Sequence, residues 1–200
     1  MRLLATFLFL VISLAAFSQE DAVSKWMHTD VTYTGARGNK LRILSSYPKG
    51  GAVYTDPSGK KYSYVIFCIH LFNESGSRAE LTIKFPPGPY AIFPSPESHI
   101  KLFLPPDTLT VDKIPLLDYG LTNIPSMLDA GLGQPRVLHR VIPAKGESLF
   151  YVQVLFHQVS GTTRAALVLE GESLFFKISI NPVIKDELIP CGQLVFRALR

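Results

Sequence analysis

Hydrophobic and polar residues alternate with a period of two along most of this chain, the pattern of half-buried β-strands. Leu41, Ile43 and Ser45 share one face of a short strand. The stretch Ala52 to Thr55, the turn Asp56-Pro57-Ser58-Gly59 and the residues from Lys60 onward read as a β-hairpin, because proline fixes φ and glycine supplies a positive φ. The second arm, Tyr62 to Phe72, is apolar on both faces: Tyr64, Ile66 and Cys68 on one, Val65, Phe67 and Ile69 on the other. A strand of that kind fits the middle of a sheet with both faces covered. Asn73-Glu74-Ser75-Gly76 then turns the chain into Arg78 to Phe85, with Ala79, Leu81, Ile83 and Phe85 inward and Arg78, Glu80, Thr82 and Lys84 outward.

The chain changes character from Pro86 to Pro143, which holds eleven of the fifteen prolines. Each proline removes a ladder donor, so most of this segment is expected to be extended or looped. His99 to Leu104 still reads as a strand, ending at Pro105-Pro106. Asn123 to Ala130 predicts a short helix capped by Asn123, with Pro125 in its first turn and Gly131 as its stop. Strand patterning returns in Arg136 to Ile142, Glu147 to His157, Thr163 to Leu169, Ser173 to Ile180 and Leu194 to Arg197. Gly146-Glu147-Ser148-Leu149-Phe150 recurs as Gly171-Glu172-Ser173-Leu174-Phe175, two similar entries into strands rather than a solenoid repeat.

Nine or ten strands and one helical turn predict an all-β fold, a two-sheet antiparallel β-sandwich of immunoglobulin-like general character with a Pro-rich irregular middle segment, 86–143. The alternative is two smaller β-domains meeting near residues 105–133. One domain is preferred, since the early half alone would leave its longest apolar strand poorly covered. Tyr64 to Gly76, followed by Ala79-Glu80-Leu81-Thr82-Ile83, resembles a strand–Asn-turn–strand element of immunoglobulin-like sandwich modules in bacterial envelope proteins. The resemblance spans about 25 residues and speaks to fold, not to activity.

At the N-terminus, Met-Arg precedes an apolar stretch from Leu3 to Ala16, broken only by Thr6 and Ser13. That length is short for a bilayer crossing and right for a signal-peptide core. Ala16-Phe17-Ser18 places small residues at −3 and −1, so cleavage after Ser18 is expected, with Glu20 and Asp21 following at once. No cysteine follows the apolar core, which argues against a lipid-modified N-terminus. The expected layout is a signal-peptide helix at 1–18 and one β-sandwich domain at 19–200, with no membrane span after cleavage and a periplasmic or secreted location. Lys185-Asp186-Glu187-Leu188 spells a retention tetrapeptide, but it lies inside the chain, where a receptor for free tails cannot read it.

Charge narrows the partners. Only Arg2 is charged in the leader, so its removal takes the net charge from +4 to +3. The basic residues form no run longer than two, unlike a nucleic-acid binder. Cys68 and Cys191 are a candidate disulfide, which would add roughly 4–5 kcal/mol by closing so long a loop. Two buried thiols are the equal alternative, since Cys68 lies mid-strand in an apolar run.

Catalytic signatures are missing. The Gly-Glu-Ser-Leu-Phe copies lack the second glycine of a nucleophile elbow and enter strands instead of helices. Cys68 has His70 on the same strand face, roughly 7 Å along, which is a weak pointer to a nucleophile. His28, His70, His99, His139 and His157 are spread singly, so a metal site could arise only by tertiary convergence. Asp107 and Asp112 frame no calcium loop. Asn73-Glu74-Ser75 matches the N-glycosylation pattern but is read as a turn. No catalytic residue, cofactor or metal is therefore expected.

The candidate contact loop is Tyr90, Ile92 and Phe93, held within the prolines of 86–96, where stiffness lowers ordering cost and aromatic area suits binding. The alternative is that this loop seals one end of the core. The expected function is a non-catalytic exported domain that binds or scaffolds a protein or glycan of the cell envelope. A carbohydrate-binding module is the alternative, weakened by Trp26 being the sole tryptophan. An enzyme with a convergent site comes last.

Overall fold

The computed structural model describes residues 23–35, 38–86, 88–91, 94–134 and 136–197. The expected leader with its cleavage point after Ser18, and Ile92 and Phe93 of the expected contact loop, lie outside the described residues.

The described strands form two antiparallel sheets. The first contains β1 (Met27–Thr34), β2 (Lys40–Ser46), β3 (Lys49–Thr55), β4 (Lys61–Asn73), β6 (His99–Phe103) and β8 (Glu147–His157), ordered β1-β2-β4-β8-β6. β3 pairs with the first half of β4, and β2 with the second half. The second sheet contains β5 (Arg78–Lys84), β7 (Val137–Ile142), β9 (Thr162–Glu170), β10 (Ser173–Asn181) and β11 (Ile184–Arg197), ordered β7-β5-β11-β10-β9. The main core lies between the sheets and draws on Leu41, Phe67, Ile83, Val152, Phe176 and Leu194, among others. A bond links the layers as well: the Leu167 N–H on β9 donates to Ser45 Oγ on β2 at 3.1 Å.

The hairpin forms as expected. Thr55 stands opposite Lys61, and Gly59 has a φ of 85° in the turn between them. The Asp56 carboxylate accepts from the backbone N–H of Ser58 and Lys60 and from the Ser58 hydroxyl. β4 is covered on both faces, the outcome its unbroken apolar run predicts. Phe67, Ile69 and Leu71 face the main core, while Tyr62, Tyr64, Ile66 and Cys68 belong to a second apolar cluster on the outer face.

That second cluster is closed by a cover drawn from the Pro-rich segment. Two 3-10 turns (Val111–Lys113 and Leu117–Gly120) and α1 (Ile124–Gly131) lay Leu109, Ile114, Tyr119, Leu121, Ile124 and Leu128 onto the sheet. Polar bonds fasten the cover at several points. Lys49 Nζ donates to the carbonyls of Ile114 and Leu116 at 2.6 and 2.7 Å. The Tyr151 hydroxyl donates to the Tyr119 carbonyl at 2.9 Å, and the Tyr119 hydroxyl donates to the Tyr47 carbonyl. Tyr54 Oη bonds Asp129 at 2.7 Å.

Several local expectations are corrected. The Asn73 turn, which the sequence leaves without a sheet assignment, joins β4 to β5 across the two sheets and so forms an arch. Asn123 precedes α1 in the left-handed region with no side-chain capping bond. Gly131 is the last residue of α1 rather than a stop beyond it; a Cβ there would lie 2.9 Å from the Phe103 ring. β1 is an edge strand with little burial, which leaves no alternation to read. β11 runs through Ile184 to Gln193, because Pro190 and Gly192 flank a bulge at Cys191 instead of ending the strand.

Candidate functional site

The cover leaves the two ends of the outer face of the first sheet open. At one end lies a groove of about 730 Å³ over β2, β4 and β8. Even-numbered residues of β2 and β4 and odd-numbered residues of β8 point to this face, and the register sets Phe72 opposite both Arg42 and Glu147. Lys40, Arg42, His70, Phe72, Lys145 and Glu147 are on its walls, with Val23 and Val111 closing it from above.

His70 is the buried centre of this group, 3% exposed, with Nε2 2.7 Å from a Glu147 carboxylate oxygen. Burial holds its pKa below the ordinary histidine value, and the hydrogen bond it donates to Glu147 opposes that shift without reversing it. The neutral ring thus donates Nε2–H to Glu147, leaving Nδ1 as a buried acceptor with no partner among the described residues. Its ring lies against Phe72, centroids 3.9 Å apart. On the other side, the Arg42 guanidinium is 5.6 Å from the Phe72 centroid and forms a bidentate pair with Asp30 at 2.7 and 2.8 Å. That pair holds the Asp30 carboxyl below the usual carboxylate range.

The rim of the groove is made by the arch. Asn73, 1% exposed, donates from Nδ2 to the carbonyls of Ser77, Ile142 and Pro143 and accepts the Ser75 N–H. Ser75 Oγ both accepts from Lys40 N–H and donates to the Lys40 carbonyl. Lys145 Nζ donates to the Glu74 carbonyl. A side chain amide so fully used and buried is a structural anchor, and the Asn73-Glu74-Ser75 pattern is spent on the turn. The groove therefore has a wall of charged side chains, Lys40, Arg42, Lys145 and Glu147, around one aromatic ring.

Residues singled out from the sequence are placed elsewhere. Cys68 and Cys191 are both buried free thiols, in the outer cluster and the main core respectively. Burial pushes each thiol up to about 12. At such a value the thiolate is scarce, so Cys68 beside His70 lacks the activation a nucleophile needs. Tyr90 forms a bridge with Ile100, donates its hydroxyl to the Pro86 carbonyl at 2.7 Å and packs on the main core. Trp26 packs on the outer cluster, with Lys49 Nζ 4.1 Å from its ring centroid. The groove residues Arg42, Phe72 and Glu147 carry no motif; only the β4–β8 and β2–β4 registers unite them.

No known protein-family model matches the chain, and no curated protein matches it in sequence. Among the described residues no helix is long and apolar enough to cross a membrane.

Proposed function

We propose that this chain is an exported, non-catalytic sandwich of immunoglobulin-like character that binds a macromolecule of the cell envelope or exterior through the groove beside the Asn73 arch. The signal-like sequence of residues 1–18 supports export, and a Gln19 start supports a periplasmic or secreted product. The observation that carries the binding reading is the groove itself. It combines a large concave volume with the Arg42–Asp30 ion pair and the His70–Glu147 hydrogen bond, both beside Phe72. Prealigned charges and a half-buried aromatic suit recognition of a partly polar surface, since the ordering cost is already met by the fold.

A protein partner is favoured over a glycan. Sugar platforms need a free aromatic face, and the Phe72 ring already has His70 and Arg42 against it. Affinity capture of the tagged protein from the envelope of the cells that export it tests the reading. One partner is expected with the wild type and with Lys177→Glu on the far sheet, and its loss with Arg42→Glu. Equal recovery by all three proteins would reject the groove, and a mature mass that retains residues 1–18 would reject export.

A further inference from the structure

At the other open end of the covered face, His99 on β6 stands directly opposite His157 on β8. Their ring centroids are 5.0 Å apart, with 39° between the planes. His99 Nδ1 lies 3.3 Å from the Glu97 carbonyl oxygen, and His157 Nδ1 lies 2.8 Å from that of Lys61. A carbonyl oxygen can only accept, so Nδ1 carries the proton of each neutral ring and Nε2 keeps its lone pair. His99 is 6% exposed, and its Nε2 is buried with no hydrogen-bond partner among the described residues. Buried polar atoms in native folds are nearly always paired, so such an atom points to a ligand.

We propose that His99 and His157 form a two-imidazole site for a late first-row divalent metal ion, Cu²⁺ foremost, with water completing its coordination. Metal-ligating histidines are held in the same way, one ring nitrogen fixed by a backbone carbonyl and the other facing the ion. Two cis imidazoles sharing one ion at metal–nitrogen distances near 2.0–2.1 Å hold their centroids roughly 4.5–5 Å apart, in tetragonal or tetrahedral coordination alike. An imidazole donor set excludes magnesium and calcium, and the order of divalent affinities places copper first. Tyr62 packs against both rings, its centroid 6.0 Å from His99 and 5.5 Å from His157, and braces them from the side of β4. His157 is half-buried and forms the entrance.

The surroundings set the strength of the site. No group of three His, Cys, Asp or Glu side chains that could hold a metal occurs among the described residues, so two protein ligands make an exchangeable site. Lys60 and Lys101 lie close enough to His99 to act on it electrostatically. Their positive charge repels a divalent ion and keeps the site weak. Lys101 Nζ itself rests over the Tyr62 ring, 5.0 Å from the centroid.

This inference does not depend on the groove. Its test is a titration of the purified protein with Cu²⁺ alone, following the imidazole proton resonances. Broadening of His99 and His157 together at substoichiometric Cu²⁺, ahead of His28, His70 and His139, is the expected result. His157→Gln, at a half-exposed position, should spare the fold and weaken calorimetric Cu²⁺ affinity at least tenfold. First broadening at another histidine, or unchanged affinity in His157→Gln, would overturn the site.

Discussion

Asn73 carries more of this fold than any other polar side chain described above. Its amide satisfies three carbonyls of two other segments, and its carbonyl oxygen accepts the Ser75 N–H. Each buried group left unpaired costs about 1–3 kcal/mol. Asn73→Ala should therefore lower the urea-unfolding free energy by about 3 kcal/mol, and a change below 1 kcal/mol would show that water replaces the amide readily. The two buried histidines act through pH. Burial holds His70 and His99 below the ordinary value of 6.5, so between that pH and their folded values the unfolded chain binds more protons. Stability present above pH 6.5 is lost as pH falls through this window. The melting temperature should drop from pH 7.5 to pH 5.5, and more steeply in the wild type than in His70→Gln. A melting temperature that rises on acidification would contradict this. At this scale the sequence showed that Asn73 sits in a turn, but not that it ties two sheets, because its partners Ile142 and Pro143 are about 70 positions away.

The elements divide by how much local patterning they carry. β4 was legible because nine of its thirteen residues are apolar, with an unbroken run from Tyr64 to Ile69, and β5 because its two faces differ cleanly. β11 was not, since Pro190 and Gly192 are turn residues everywhere except at a bulge. Gly192 adopts a φ of 149°, and a Cβ there would stand 1.9 Å from the Thr82 carbonyl oxygen of β5. Gly192→Ala should separate β11 from β5, with loss of soluble expression or a melting temperature more than 10 °C lower; a wild-type melting curve would refute the close approach. The cover is a separate case, legible as Pro-rich and irregular but not as a lid on β4. Lys49 holds it through two carbonyls, and burial lowers the Lys49 pKa. Lys49→Met should cost about 2 kcal/mol. It should also speed hydrogen exchange at the Leu116, Tyr119 and Leu121 amides while sparing β9 and β10. Uniform exchange across the chain would mean the cover and the sheets open together.

For the molecule as a whole, two packed sheets supply rigidity and the cover decides which surface stays open. One end of that sheet face is an open groove rimmed by the Asn73 arch, and the other carries the histidine pair, with His157 half-buried. The sequence pointed to Tyr90, Ile92 and Phe93 as a contact loop or as a seal on one end of the core, and of these only Tyr90 is among the described residues. Tyr90 turns its hydroxyl back to Pro86 and packs, partly buried, against the main core. The groove could not be read in advance, since Arg42, His70, Phe72 and Glu147 meet only once three strands adopt their register. A photo-crosslinking side chain placed at Lys40 in the groove, in the protein expressed in its own cells, tests the binding account most directly. A discrete adduct is expected from position 40 and none from a matched probe at Lys177 on the second sheet; equal labelling at both, or an adduct at Lys177 alone, would contradict it.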